Sequence, residues 1–173
     1  MSEIDPNEVL FIGGRSGVGK SSVALEMSIQ MAAARIKHAV IEGDCLDMAY
    51  PPPWEHGLAE KNLGLMWSNY RDLGYRRLIY TNTNSVCSVE ELVAAIGGQP
   101  RVFAVLLVAT DDTIRTRLTQ REIGSALAEH VDRSRRAAQS LENEAPNWVV
   151  RVDTHARTVV TIADELIGLT GWR

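Results

Sequence analysis

The chain has little cysteine and lacks any long apolar run. Its two cysteines, Cys45 and Cys87, show neither the spacing of a metal site nor that of a disulfide framework, so a reducing cytoplasm is the simplest compartment. No apolar stretch approaches the length of a membrane span, and the acidic N-terminus lacks the regions of a signal peptide. We therefore expect a cytoplasmic protein with no membrane partner.

The chain also lacks an excess of positive charge. It has 18 lysines and arginines against 22 aspartates and glutamates, a formal net charge of −4. This balance argues against a general affinity for nucleic acid or for anionic membranes. The length of 173 residues, with 45% hydrophobic and 23% charged residues, suits one well-packed domain covering residues 1–173.

What the chain does have is a complete phosphate-binding loop, because residues 14–21 read Gly-Arg-Ser-Gly-Val-Gly-Lys-Ser. The glycines let the backbone turn its N–H groups towards phosphate oxygens, and the positive end of the following helix adds to that field. Lys20 is placed to reach the β- and γ-phosphates of ATP, and Ser21 to ligate Mg²⁺. The predicted nucleotide-binding residues of this segment are Gly14, Arg15, Ser16, Gly17, Val18, Gly19, Lys20, Ser21 and Ser22.

Apolar strand-like runs alternate with helical patterns along the whole chain. The predicted strands are 9–13, 38–42, 77–81, 102–109 and 148–152, and the predicted helical stretches are 21–34, 55–70, 88–96, 112–144 and 158–169. Such alternation predicts an α/β fold in three layers, α/β/α, around a five-stranded parallel sheet. Ligands bind such sheets at the carboxyl ends of the strands, so site residues should follow the strands directly.

Two carboxylates follow the second predicted strand, in the sequence Glu42-Gly43-Asp44. One of them is placed to hold Mg²⁺ through water, and the other to orient an acceptor hydroxyl or to take its proton. The other interpretation is a strand-ending turn with solvated acids. Because site acids cluster where strands end, the neighbouring phosphate-binding loop favours the functional interpretation.

An arginine-rich segment follows the fourth predicted strand. Arg117 and Arg121 are four residues apart and so share one helix face. A guanidinium group suits both stacking on a base and binding an oxyanion. Further along, Arg133, Arg135 and Arg136 either close over the γ-phosphate or form an ordinary solvated face with neighbouring acids.

The loop, the acid pair and the arginine pattern together resemble the small P-loop kinases: gluconate, shikimate and adenylylsulfate kinases, and antibiotic-resistance kinases of the chloramphenicol-phosphotransferase or tunicamycin-resistance type. The resemblance implies a P-loop NTPase fold with a short helical lid at about 118–136. It implies that Arg117 stacks on adenine, that Arg121 reaches phosphate as a catalytic residue, and that Asp44 contacts the acceptor. Glu42 stands where the family usually has aspartate, so its metal role is an expectation.

The chain departs from many P-loop enzymes at the third predicted strand, because no acid follows Leu78-Ile79-Tyr80. This shifts any metal role to Glu42 or Asp44 and weakens a motor or switch interpretation. Between the second and third strands lie Met48, Tyr50 and Trp54, which suit the pocket of an organic acceptor with apolar parts.

These observations predict a kinase with ATP and Mg²⁺, in which Lys20, Asp44 and Arg121 are catalytic and Ser21 and Glu42 hold the metal. The acceptor would be a small molecule, a metabolite or an antibiotic, and the protein a monomer or homodimer. A nucleoside or nucleotide kinase is the first alternative. An ATP-binding regulatory switch acting on a protein partner is the second, and a polynucleotide kinase is disfavoured by the acidic balance.

Overall fold

A five-stranded, all-parallel sheet with helices on both faces forms the centre of the molecule. The structure is a computed structural model that describes residues 6–121 and 126–173. The strands are β1 (Glu8–Gly13), β2 (Ala39–Glu42), β3 (Arg77–Thr81), β4 (Arg101–Val108) and β5 (Val150–Asp153), in the spatial order β2-β3-β1-β4-β5. The predicted α/β class and the five parallel strands are confirmed.

Six α-helices in the described part of the chain cover the sheet. They are α1 (Lys20–Ala33), α2 (Leu58–Asp72), α3 (Val89–Ile96), α4 (Asp111–Arg121), α5 (Ala126–Glu144) and α6 (Val159–Thr170). The predicted helical stretch 112–144 thus contains two helices, and residues 122–125 between them lie outside the described part of the chain. No helix in the described ranges has the length and apolar character needed to cross a membrane.

Successive residues of a strand face opposite sides of the sheet, so the core consists of two apolar clusters, one on each side. In β1, Leu10 and Ile12 pack beneath α1 and α6, whereas Val9 and Phe11 pack on the opposite face beneath α2 and α3. Strand β1 is central because β3 and β4 flank it, and helices bury both of its faces. Trp67 of α2 is 1% exposed and packs in the second cluster.

Helix α1 begins directly after the phosphate-binding loop, and its Met27 and Met31 are buried against the sheet. Because β1 lies between β3 and β4, the carboxyl ends of these three strands meet around the loop. The segments that follow β2, β3, β4 and β5 therefore lie at the same edge of the sheet as the loop.

Phe11 provides a test of the core. It is fully buried and packs edge-on against Tyr80 with ring centroids 5.8 Å apart. Phe11→Ala should lower the free energy of unfolding by about 3–5 kcal/mol, because truncation leaves a cavity in the central strand. Urea unfolding followed by circular dichroism measures this. Leu25→Ala on the exposed face of α1 is the control, with an expected change within about 0.5 kcal/mol; equal losses would contradict the described packing.

Candidate active site

The loop of residues 14–19 turns sharply between β1 and α1. Gly14, Gly17 and Gly19 have φ values of 139°, 84° and 106°, which residues with a side chain rarely adopt. A Cβ on Gly14 would also lie 2.7 Å from the carbonyl oxygen of Leu107 in β4. Glycine is therefore required at this position both by the backbone angle and by the close approach of the neighbouring strand.

Lys20 is the first residue of α1, and its side chain crosses back over the loop. Its Nζ donates a hydrogen bond of 2.8 Å to the carbonyl oxygen of Gly14, and the residue is 8% exposed. The ammonium group is therefore held above the loop. A cavity of about 130 Å³ lies beside it, lined by the loop, Lys20, Ser21, Ser22 and Asp44. Its walls are almost wholly polar, as a phosphate site requires.

One residue of the predicted acid pair lines this cavity, and the other contacts Ser21, which also lines it. The Oγ of Ser21 donates to Oε2 of Glu42 at 3.0 Å, and Asp44 itself lines the cavity beside Lys20. The structure thus brings four predicted residues together: Lys20, Ser21, Glu42 and Asp44. The chain places them there because β2 ends at Glu42 and a single 3₁₀ turn, Gly43–Cys45, follows at once.

The hydroxyl of Thr81 supports Glu42 from the last position of β3. It donates to the same Oε2 of Glu42 at 2.6 Å, and the residue is fully buried. Asn82, the next residue, donates from Nδ2 to Oδ1 of Asp44 at 2.7 Å. Sequence reasoning noted that no acid follows β3 but did not assign these two hydrogen bonds. The only sequence signal was a polar run directly after a buried strand.

Gly43 gives the acid pair its close approach to β3. A Cβ at Gly43 would overlap the hydroxyl of Tyr80 and lie 2.8 Å from the carbonyl oxygen of Thr81. Burial raises the pKa of Tyr80 well above its ordinary value, and the negative charge of Asp44 adds to this shift. The hydroxyl of Tyr80 is therefore neutral at physiological pH and adds no charge to the acid pair.

A second cavity of about 270 Å³ lies on the α6 side of the loop. Its walls combine loop residues, Arg117 of α4 and Thr154, which follows β5. Arg117 donates to the carbonyl oxygen of Val18 at 3.1 Å and to both oxygens of Thr154, at 2.9 and 2.8 Å. It therefore joins the loop to the segment after β5. The planar guanidinium also forms one wall of a cavity large enough for a base.

Helix α5 contacts the loop at Ser16. The Oγ of Ser16 and Nε2 of His130 are 2.8 Å apart, and Ser134 donates its hydroxyl to the carbonyl oxygen of Ser16 at 2.9 Å. Sequence reasoning named neither His130 nor Ser134, because nothing local to α5 indicates that it reaches a loop more than a hundred residues earlier. The helix predicted to form part of the lid therefore rests on the loop itself.

The remaining predicted residues lie in several places. The side chain of Arg121 lies outside the part of the chain that the structure describes, so its phosphate contact stays a prediction. Arg135 pairs with Asp111 at 3.1 Å. The candidate acceptor residues are exposed around a loop rather than gathered in a pocket: Met48 is 75%, Tyr50 97% and Trp54 75% exposed.

Solved structures share this architecture over almost the whole chain. The chain has the fold of the small P-loop kinases. The tunicamycin resistance protein of Deinococcus radiodurans is 17% identical, with 95% of this chain and 96% of that chain covered and a TM-score of 0.67. A gluconokinase from Sinorhizobium meliloti 1021 is 19% identical, with 96% and 94% covered and a TM-score of 0.59.

A third structure with the small P-loop kinase fold was solved with ligands. The APS kinase of Mycobacterium tuberculosis, in complex with AMPPNP and APS, is 18% identical, with 95% of this chain and 97% of that chain covered and a TM-score of 0.56. No protein-family model and no curated protein matches the chain. At these identities the comparisons establish the fold alone.

Arg117 provides a test of the second cavity. Arg117→Ala removes three hydrogen bonds to Val18 and Thr154 and leaves the buried hydroxyl of Thr154 without this donor, which should lower the free energy of unfolding by about 1–3 kcal/mol. It should also weaken nucleotide binding, measured as the thermal shift produced by AMPPNP. Arg115→Ala, an exposed arginine on the same helix, is the matched control. Indistinguishable behaviour of the two variants would contradict the role assigned to Arg117.

Proposed function

We propose that this protein is a kinase that transfers the γ-phosphoryl group of ATP to a hydroxyl group of a small molecule. The observation that carries the proposal is one polar cavity at the carboxyl edge of the sheet, lined by the phosphate-binding loop, Lys20, Ser21 and Asp44. A phosphate site and a carboxylate able to meet an acceptor hydroxyl lie together there. Phosphoryl transfer needs positioning and charge neutralisation more than covalent chemistry.

The nucleotide would lie along the loop between the two cavities. The polar cavity takes the phosphates, and the larger cavity bounded by Arg117 and Thr154 takes the base. Loop N–H groups and the ammonium of Lys20 neutralise phosphate charge, and Lys20 is already held over the loop by its hydrogen bond to Gly14. Helix α5, resting on Ser16, covers the loop and reduces the access of water.

The donor set beside Ser21 fits Mg²⁺. The hydroxyl oxygen of Ser21 and the carboxylate of Glu42 are 3.0 Å apart, and both are oxygen ligands of the kind that Mg²⁺ prefers. Among the described residues, no group of three or more acidic, histidine or cysteine side chains is placed to hold a metal ion. This agrees with sites in which phosphates and water provide most of the ligands. When bound, Mg²⁺ would supply neutralisation of phosphate charge, with Thr81 holding Glu42 in place.

Asp44 is the residue proposed to meet the acceptor. It lies in the phosphate cavity, and its Oδ1 accepts a hydrogen bond from Asn82. That bond fixes the carboxylate while leaving Oδ2 to face the acceptor hydroxyl, to orient it or to accept its proton. No other carboxylate in the described chain lines this cavity.

A mass-spectrometric screen tests the function directly. The protein is incubated with Mg·ATP and pooled metabolites, nucleosides and antibiotics that carry hydroxyl groups. A phosphorylated acceptor should appear with the wild type and fall by about 10²- to 10³-fold or more with Lys20→Ala, because a charge-neutralising donor is lost. Lys61→Ala, an exposed lysine on α2, is the control. A phosphorylated nucleoside would select the nucleoside-kinase alternative, and ATP binding with no acceptor product would favour a regulatory switch.

Asp44→Asn separates binding from transfer. The substitution keeps the shape of the side chain and removes its charge, so ATP binding should persist while transfer falls by about 10²- to 10⁴-fold, the contribution of a positioned base. Single-turnover transfer and AMPPNP binding are measured on the same preparation. Asp47→Asn, three residues further along and not part of the cavity lining, is the matched control. Unchanged transfer in Asp44→Asn would remove this residue from the mechanism.

A further inference from the structure

A separate cavity of about 320 Å³ lies between the end of β4 and α5. Its apolar wall includes Leu106, Val108 and Leu141, and its polar wall includes Arg15 and Asp111. None of its lining residues lines either of the two cavities assigned to the nucleotide. It is therefore a space that the proposed nucleotide site leaves unassigned, although Arg15 belongs to the phosphate-binding loop.

The charge of Arg15 is compensated at this cavity by a single carboxylate, which it shares with Arg135. The residue is 6% exposed, its Nη1 donates to Oδ1 of Asp111 at 2.6 Å, and its buried Nε–H has no acceptor among the described residues. Asp111 is half-exposed and shared, because its other oxygen accepts from Nε of Arg135 at 3.1 Å. The hydrogen bond from Arg15 lowers the pKa of Asp111, so the carboxylate stays ionised near neutral pH.

The other acids nearby add little to that compensation. Glu142 lines the cavity, but its Oε1 lies 3.6 Å from the guanidinium of Arg151 and the side chain is 62% exposed. Asp132 lies 3.9 Å from Arg135 and is 63% exposed. Exposed pairs of this kind are weakened by solvent, whereas Arg15 is removed from water. An anionic group within the cavity would contact the desolvated guanidinium of Arg15, whose partner Asp111 is shared with Arg135.

We propose that this cavity binds a small organic carboxylate. Its carboxylate group would be held by the guanidinium groups of Arg15 and Arg135, whose forked N–H geometry matches a carboxylate. Its apolar part would pack on Leu106, Val108 and Leu141. A volume near the lower end of the range of ligand pockets, with apolar walls and a few polar groups, suits a small ligand of this kind. The inference concerns binding and does not depend on the proposed phosphoryl transfer.

Matched pairs of carboxylates and neutral amides test the proposal. The probes are 3-phenylpropionate against 3-phenylpropanamide, and 6-hydroxyhexanoate against 6-hydroxyhexanamide. Each is titrated by ligand-detected NMR into the full chain with excess Mg·AMPPNP, which fills the nucleotide site. Each carboxylate should bind at least about tenfold more tightly than its amide, because only the carboxylate offers a charge to Arg15 and Arg135. Equal affinities within both pairs would overturn the proposal.

Substitutions in α5 locate the binding. Ala138 lines the cavity and Ala137 does not, although both are partly buried neighbours on the same helix. Ala138→Phe should fill the space and weaken carboxylate binding by about tenfold or more, whereas Ala137→Phe should leave it unchanged. Arg135→Gln provides a second variant that preserves the packing. It should weaken the binding of the carboxylates and leave the binding of the amides unchanged. Unchanged carboxylate affinity in both Ala138→Phe and Arg135→Gln would also overturn the proposal.

The same probes distinguish the two roles that such a site can have. With Mg·ATP in place of AMPPNP, a phosphorylated product of 6-hydroxyhexanoate would identify the cavity as part of the acceptor site. A carboxylate that binds in the cavity without being phosphorylated would identify the cavity as an effector site. Both results support the assigned site, because binding is measured independently of turnover.

Discussion

The backbone of the phosphate-binding loop is the constraint on which the rest of the site depends. Side chains from the adjoining helix and from distant parts of the chain donate hydrogen bonds to its carbonyl oxygens: Lys20 to Gly14, Arg117 to Val18, and Ser134 to Ser16. The loop also donates from the N–H of Gly14 to the carbonyl oxygen of Thr83, after β3. The site is thus organised around one short stretch of main chain, whose conformation is determined by three glycines with positive φ and by the approach of β4.

Local patterns predicted much of this arrangement. The phosphate-binding loop is a contiguous motif, the strands are apolar runs, and the acids Glu42 and Asp44 directly follow one of those strands. Features of this kind are determined by neighbours in sequence, so they are visible without coordinates. The rule that parallel strands end at one edge then placed the acids near the loop, and the structure has them beside Lys20 and Ser21.

What the sequence did not reveal is the set of contacts between distant segments. The contact of Ser16 with His130 and the ion pair of Arg15 with Asp111 each join residues about a hundred positions apart. The helical partner in each pair has no local signature, because a histidine or an aspartate on a helix is usually solvated. The same applies to Thr81, whose hydroxyl supports Glu42 only because β2 and β3 are adjacent in the sheet.

Helix α5 is tied to the loop by two contacts with Ser16. His130 contacts the side chain of Ser16, and Ser134 donates a hydrogen bond to its carbonyl oxygen. The position of the covering helix is therefore governed by the shape of the loop. A change in the main chain at Ser16 would thus shift the loop and helix α5 together.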